Sequence, residues 1–212
     1  MWELNEEFQA RLSDRLKAPL PGVDAQIRMS PTPINQERFA FKERPDAKAG
    51  AVLILFHPGT GGIHFPLIQR PEYPGAHSGQ VSFPGGKYEK SDRDLLHTAL
   101  REAEEEVGAN PSEITVLGTM SELYIPASNF KVLPVIGISF STPQFVPEEK
   151  EVAQILSADV GNLMKQEIAV KDMIVGPNIK IRSPFFTVED RVVWGATAMM
   201  LGELLQILED IR

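Results

Sequence analysis

The strongest constraint on the fold comes from residues 85–108, where a glycine turn leads into a helix with two distinct faces. Pro84-Gly85-Gly86 follows a strand-like run and is typical of a turn. Apolar side chains then recur at spacings of three and four residues, which predicts a helix that begins after Ser91 or Asp92 and ends at Gly108. The apolar positions are Leu96, Ala99, Leu100, Ala103 and Val107. Such a helix must bury this face against another element.

A second face of the same helix carries carboxylates. Glu102 and Glu106 lie roughly 40° apart around the helix axis, one turn above each other, and Glu105 is their neighbour. Like charges at this spacing repel each other, and only Arg101 interleaves with them. Three converging carboxylates form a hard-oxygen site suited to Mg²⁺ or Mn²⁺. A solvated acidic face is the alternative, but the fixed offsets between the glycine turn, the Arg-Glu pair and the Glu-Glu pair favour the metal site.

The glycine turn and the acidic helix together resemble the Nudix box, a signature of the form Gly … Glu … Arg-Glu-apolar-x-Glu-Glu-x-Gly. The second half, from Arg101 to Gly108, matches at every defined position. In the first half, Gly86 is followed by five residues and then by Asp92, where the box has Glu. Eight residues, instead of seven, then precede Arg101.

The extra residue resembles the coenzyme A pyrophosphatase branch of the Nudix hydrolases. The upstream stretches Leu67-Ile68-Gln69-Arg70 and 77–87 are also similar to that branch. The resemblance covers residues 67–108 and, more weakly, Pro134-Val135 and Trp194-Gly195. It implies metal-dependent hydrolysis of the diphosphate of coenzyme A.

Within this scheme the helix supplies the metal ligands. Glu102 and Glu106 are the expected ligands, and Glu105 is either a third ligand or a residue that positions the ligands. Arg101 is expected to pair with a carboxylate and orient it, with a simple surface ion pair as the alternative. The resemblance also implies a backbone carbonyl ligand near Gly85, where the absence of a side chain allows close approach.

A general base outside the helix, on a mobile loop, is also typical of Nudix enzymes. Glu148, Glu149 and Glu151 lie in a suitable acidic loop. A single sequence does not select among them, and Glu149 and Glu151 are retained as candidate catalytic residues. A hydroxide generated at the metal would need no separate base.

Basic side chains are expected to bind the phosphate charge that the metal leaves uncompensated. Arg70 ends a predicted strand, and its guanidinium can grip phosphate oxygens as a fork; it is also the candidate contact for the 3′-phosphate of coenzyme A. Lys87 follows the glycine turn and is either a phosphate contact or a solvated lysine. His77 can hydrogen-bond substrate, with a structural histidine near a turn as the alternative.

Composition limits the classes of molecule that the protein is expected to bind. The chain has 21 Lys and Arg against 29 Asp and Glu, a net charge of −8, and contains no basic run, which argues against nucleic acid or an anionic membrane as a partner. It has no cysteine, so disulfides and thiolate metal sites are excluded. Without a spanning apolar run or a signal-like N-terminus, we expect a cytoplasmic enzyme that acts on a small molecule.

Hydrophobic periodicity predicts an α+β fold in which a mixed sheet has the acidic helix on one face and a C-terminal helix on the other. The resemblance specifies this as an α/β/α sandwich, with residues 1–212 as one Nudix domain and the helix and loop of residues 1–36 appended. The apolar stripe of the first helix either covers the sheet or packs against a second subunit, as in a homodimer. The predicted strands are 37–43, 51–56, 63–69, 114–117, 131–140, 151–156, 168–175 and 179–186, and the other predicted helices are 3–17, 160–166 and 194–211.

Three functions remain open at this point. The first is a diphosphatase that splits coenzyme A or acyl-CoA. The second is the same chemistry on another nucleoside diphosphate derivative, such as NADH or ADP-ribose. The third is a catalytically silent binding domain, against which the intact repulsive acid cluster argues.

Overall fold

A computed structural model describes residues 2–34, 46–72, 78–175 and 179–212 of the chain. Within these ranges the strands are β1 Lys48–Gly59, β2 Gly62–Gln69, β3 Val81–Ser82, β4 Gly85–Lys87, β5 Thr115–Thr119, β6 Leu123–Ile125, β7 Phe130–Ile138, β8 Gln154–Asp159, β9 Ala169–Val175, β10 Ile179–Val188 and β11 Arg191–Trp194. The α-helices are α1 Glu6–Lys17, α2 Val23–Gln26, α3 Leu95–Val107, α4 Val160–Leu163 and α5 Gly195–Asp210. None of these helices is both long and apolar enough to cross a membrane.

The predicted mixed sheet is confirmed, with β1 at its centre. β1 runs parallel to β7, where Leu53 lies opposite Val135, and antiparallel to both β2 and β4. β3 and β8 pair with β2, whereas β5 and β6 pair with β7. The continuous apolar run in β1 follows from this position, because a central strand is covered on both faces.

Alternate residues of β1 face two different helical layers. Ala51, Leu53 and Leu55 belong to one apolar cluster, together with the apolar face of α3. Val52, Ile54 and Phe56 belong to a second cluster, together with buried residues of α1 and α5. Successive side chains of a strand point to opposite faces, so the helices sandwich the sheet as the sequence predicted.

The apolar stripe of α1 covers the core of its own chain. Phe8, Leu12 and Leu16 are buried, and Phe8 packs edge-on against Phe56 of β1 with ring centroids 5.7 Å apart. Of the two predicted roles of this stripe, covering the sheet or packing against a second subunit, the structure shows that it covers the sheet. A homodimer stays a prediction.

A second, three-stranded antiparallel sheet lies beyond the main one. The predicted pairing of the two strands before Val188 is confirmed, since β9 and β10 pair from Ala169 opposite Phe185 to Val175 opposite Ile179. β11 adds a third strand that the sequence analysis missed. Its turn places Glu189 and Asp190 at positive φ, without a glycine to mark it.

Several boundaries differ from the prediction because long-range pairing decides them. The segment between the predicted strands 51–56 and 63–69 is mostly strand: Pro58 pairs with Ile63, and only Thr60 and Gly61 turn. Strand β6 lies between the predicted strands 114–117 and 131–140, where no strand was predicted. Strand β8 begins at Gln154 instead of residue 151. The predicted strand 37–43 lies outside the described residues.

Candidate active site

Helix α3 holds the acidic residues in fixed positions. Its N-cap is Asp94, whose carboxylate accepts the backbone N–H of His97 at 2.8 Å, so the prediction of Ser91 or Asp92 as the cap is wrong. Gly108 ends the helix in the left-handed conformation, with φ of 68°, as predicted. The apolar face packs against β1 and β4, which turns the carboxylates toward the glycine turn.

The glycine turn brings backbone against the acidic helix. A Cβ on Gly85, where φ is 153°, would lie 2.3 Å from the carbonyl oxygen of Ala51. A Cβ on Gly86 would lie 2.4 Å from the carboxylate carbon of Glu102. Only glycine fits at both positions, and the carboxylate of Glu102 occupies the space that a side chain would take.

Glu106 is deeply buried, with a relative exposure of 2%. Its Oε2 accepts the backbone N–H of Gly85 at 2.8 Å. The pKa of Glu106 is raised to about 7, chiefly because burial penalises the charged form. The Gly85 N–H and the charge of Arg70 lower this pKa, whereas the negative charges of Glu102 and Glu151 raise it.

Glu102, the second expected ligand, lies on the same helix face as Glu106 and is half-buried. Burial raises the pKa of Glu102, and the charges of Glu105 and Glu151 add to this increase. The guanidinium of Arg101 acts in the opposite direction, from 3.0 Å away. Arg101 thus pairs with Glu102, and its predicted role in orienting a metal ligand stays a prediction.

Asp92 holds Arg101 in place. Its side chain is fully buried, and both of its oxygens accept hydrogen bonds from Arg101, at 2.9 and 3.1 Å. The hydroxyl of Thr98 and the backbone N–H of Glu89 also donate to it. Arg101 holds the pKa of the Asp92 carboxyl far below its usual range. From the sequence, Asp92 was considered only as a possible helix cap and as the acid that replaces Glu in the box, and this positioning role was not predicted.

Glu105 lies on the solvent side of the helix. Its side chain is 58% exposed, and its carboxylate pairs with Arg101 at 3.1 Å, one helical turn away. Its predicted roles as third ligand or catalytic residue stay predictions. Arg101 also donates to the carbonyl oxygen of Lys87 at 3.1 Å, so its guanidinium contacts the acids of the cluster and the backbone of β4.

The acidic loop after residue 145 is attached to the end of α3. The backbone N–H groups of Val146 and Glu148 donate to the carbonyl oxygens of Val107 and Glu106, each at 2.9 Å. This attachment brings the charge of Glu151 near the site, where it raises the pKa of both Glu102 and Glu106. Glu149, the other candidate base, is exposed on the same loop.

The two basic candidates lie at the ends of two different strands. Arg70 follows β2, and its backbone N–H donates to the carbonyl oxygen of Gln80 at 3.0 Å. Its charge lowers the pKa of Glu106, which places it on the acid cluster. Lys87 ends β4 and is exposed. His77 lies outside the described residues.

A divalent cation fits the chemistry of these donors. Burial raises the pKa of both Glu102 and Glu106, and repulsion from neighbouring acids adds to the increase. A cation bound between these carboxylates would relieve the repulsion. Among the described residues, no three Asp, Glu or His side chains already stand together as a metal-binding group. Arg101 instead holds Glu102, and the Gly85 N–H holds Glu106. Each of these contacts involves one oxygen of the carboxylate, so the same contact can direct the second oxygen toward an ion.

A cavity of about 800 Å³ adjoins the glycine turn. Gly85, Gly86, Arg70 and Lys87 form part of its wall. The rest of its wall is mainly apolar and includes Val52, Val81, Phe83, Ile125, Phe130, Val132, Ile181, Trp194 and Met200. Strands of both sheets, the start of α5 and the segment before residue 34 contribute to it, so sequence patterns alone could not reveal it.

Comparison with known proteins identifies the family of the chain. The profile of the NUDIX domain matches residues 47–167, more than half of the chain. This match defines a hydrolase that acts on pyrophosphate bonds. The chain belongs to the Nudix hydrolase family, whose members generally use divalent metal ions.

Two relatives illustrate the similarity. An uncharacterized Nudix hydrolase NudL from Pectobacterium atrosepticum is 32% identical over 187 residues, which cover 87% of this chain and 91% of that protein. The human mitochondrial coenzyme A diphosphatase NUDT8 is 34% identical over 169 residues, covering 79% of this chain and 71% of that protein.

A solved structure supports the fold. The Nudix hydrolase RenU from M. smegmatis superposes with a TM-score of 0.54 at 18% identity, over 78% of this chain and 88% of that one. The predicted Nudix-type α+β sandwich is therefore confirmed.

Proposed function

We propose that the protein hydrolyses the diphosphate bond of coenzyme A or an acyl-CoA. The products are 4′-phosphopantetheine, or its acyl form, and adenosine 3′,5′-bisphosphate. The observation that carries this proposal is the cavity of about 800 Å³, in which Arg70, Lys87 and the glycine turn share a wall with many apolar side chains. A substrate with a charged diphosphate and a long uncharged arm matches this combination. The 34% identity to human NUDT8 supports the same substrate class.

In the reaction, water adds to one phosphorus as the bond from that phosphorus to the bridging oxygen breaks. We propose Glu102, Glu106 and the carbonyl of Gly85 as ligands for Mg²⁺ or Mn²⁺. When bound, such an ion supplies positive charge that neutralises the diphosphate and makes the attacking water more acidic.

The other residues bind, orient and move a proton. Arg101, held by Asp92, keeps Glu102 directed toward the glycine turn. Lys87 binds oxygens of the diphosphate, and Arg70 binds the 3′-phosphate of coenzyme A. We propose Glu151 as the base that takes the proton of the attacking water, because it is the loop acid whose charge reaches Glu102 and Glu106.

The experiment is an incubation with coenzyme A, acyl-CoA, NADH and ADP-ribose, each with Mg²⁺ or Mn²⁺, followed by chromatographic separation of the products. Release of 4′-phosphopantetheine and adenosine 3′,5′-bisphosphate at the highest kcat/KM is the expected result. Faster hydrolysis of NADH or ADP-ribose would assign another nucleoside diphosphate derivative. No hydrolysis of any substrate would indicate a silent binding domain.

We further propose that residues 1–212 form one domain, with residues 1–36 as its appended segment. Buried side chains of α1 and α5 belong to the same cluster as β1, which supports this view. The cytoplasmic location stays a prediction.

A further inference from the structure

We infer that the apolar part of the cavity receives the pantetheine arm of the substrate, while the phosphates gather at the glycine turn and the adenosine half stays outside the apolar part. This inference rests on the proposed function and specifies how the substrate is oriented at the same site. It identifies the recognised group as an uncharged, flexible, amide-linked chain.

The charges of the cavity wall are asymmetric. Among the described residues that line it, Arg70 and Lys87 are the only charged ones. Lys87 directly follows the glycine turn, and Arg70 acts electrostatically on Glu106. Because Glu106 accepts the backbone N–H of Gly85, both cations stand at the glycine-turn end of the cavity.

The apolar wall begins directly beside this charged end. A Cβ on Gly50 would lie 2.6 Å from the carbonyl oxygen of Gly86 and 3.2 Å from Cδ1 of Phe130. The ring of Phe130 is therefore a close neighbour of the turn that would hold the diphosphate. A substrate bound at the turn meets apolar surface at once.

The two halves of coenzyme A differ in the free energy of burying them in the apolar part of the cavity. The adenosine half carries a 3′-phosphate with a charge of about −1.5 to −2, and burying such a charge without a nearby cation is strongly unfavourable. The pantetheine arm carries no charge beyond its phosphate, and each methylene that it buries is favourable. The distribution of charge therefore favours the arm for the apolar part.

Trp194 provides a probe inside this part of the cavity. It lies at the start of α5, and the hydroxyl of Thr197 in the same first turn donates to the carbonyl oxygen of Val81 in β3 at 2.9 Å. The wall that carries Trp194 is thus tied to the main sheet. The chain has two tryptophans, and the other, Trp2, packs against Phe8 at the outer helix α1.

The first measurement uses the Trp2→Phe variant, in which Trp194 is the only tryptophan. It is titrated separately with 4′-phosphopantetheine and with adenosine 3′,5′-bisphosphate, and the tryptophan emission is recorded. Each half carries a phosphate for the charged end, so the comparison tests what reaches Trp194. We expect a saturable change with 4′-phosphopantetheine and none with adenosine 3′,5′-bisphosphate.

The second measurement narrows the cavity. Ile125→Trp places a larger side chain in the apolar wall and should weaken binding of 4′-phosphopantetheine at least about tenfold by calorimetry. Binding of adenosine 3′,5′-bisphosphate should change less than twofold. Ile174→Trp is the matched control, because Ile174 is 73% exposed on β9 and does not line the cavity. It should leave both affinities unchanged.

The opposite selectivity, or equal responses to the two halves, would overturn the inference, as would no response to either. Hydrolysis of coenzyme A is measured on the wild type in parallel. Hydrolysis together with the wrong selectivity refutes the orientation alone. Failure to hydrolyse coenzyme A refutes the proposed function itself.

Discussion

Replacing Glu106 with glutamine tests two effects of this residue, its contribution to activity and the destabilisation of the fold by its buried charge. In the metal-free protein, burial raises the pKa of Glu106 from 4.5 to about 7. The unfolded chain releases this proton near pH 4.5, whereas the folded protein keeps it until about pH 7. Below pH 4.5 the carboxyl is protonated in both states, so its burial does not destabilise the folded protein. As the pH rises from 4.5 to 7, the unfolded chain ionises first, and the free energy of unfolding decreases.

The magnitude follows from the shift. About 2.5 pKa units correspond to about 3 kcal/mol at pH 8, and the same relation gives under about 1 kcal/mol at pH 5. Glutamine keeps the shape, and its amide oxygen still accepts the N–H of Gly85. Without metal, Glu106→Gln should therefore gain up to about 3 kcal/mol over the wild type at pH 8, but little at pH 5.

Urea denaturation of both proteins in EDTA at the two pH values measures this difference. Glu105→Gln is the control on the same helix, because its side chain is 58% exposed and its pair with Arg101 is a surface contact. It should shift stability by less than about 0.5 kcal/mol at either pH. A gain for Glu106→Gln that is equal at pH 5 and pH 8 would refute burial of the charge as the cause.

The same variant should lose activity. Removal of one ligand charge from the site should lower kcat at least about 100-fold, or about 2.7 kcal/mol of barrier, in an assay with Mg²⁺ or Mn²⁺. Turnover near the wild-type value in the purified, folded variant would remove Glu106 from the mechanism.

Three further predictions concern the same site. Mg²⁺ or Mn²⁺ should raise the Tm of the wild type by binding the native state, and the double variant Glu102→Gln/Glu106→Gln should lose most of this increase; an equal increase in both would place the ion elsewhere. Arg70→Ala should lower kcat/KM at least about tenfold more on coenzyme A than on dephospho-coenzyme A, whereas equal losses would assign Arg70 to the diphosphate. Glu151→Gln should lower kcat at least about 100-fold while Glu149→Gln leaves it nearly unchanged, and the reverse order would make Glu149 the base.

Local patterns were sufficient for the acidic helix. The apolar spacing that ends at Val107 and the glycine at position 108 predicted α3 and its end, because both signals act within one helical turn. The cap was misplaced, since Ser91, Asp92 and Asp94 are all suitable residue types. Asp92 does not cap α3, because its two oxygens accept hydrogen bonds from Arg101, nine residues further along the chain.

Elsewhere, pairing between distant segments overrode local preference. Pro58 and Gly59 are typical of turns, yet both belong to β1, because β2 supplies partners opposite them. The choice between Glu149 and Glu151 also depends on tertiary structure. The loop that carries them is positioned by hydrogen bonds to the carbonyl oxygens at the end of α3.

The sequence by itself determined the acidic helix after its glycine turn and the family to which they belong, since both depend on residues close together in the chain. The mixed α+β architecture was predicted from the order of helices and strands together with the family resemblance. Only the tertiary structure decided that Asp92 anchors Arg101, that the charge of Glu151 reaches the acid cluster, and that an apolar cavity adjoins the turn. That cavity joins Ile125, Ile181 and Trp194, which are far apart in sequence. Hydrophobic periodicity reports which side chains are buried, but it does not report which buried surfaces leave space between them.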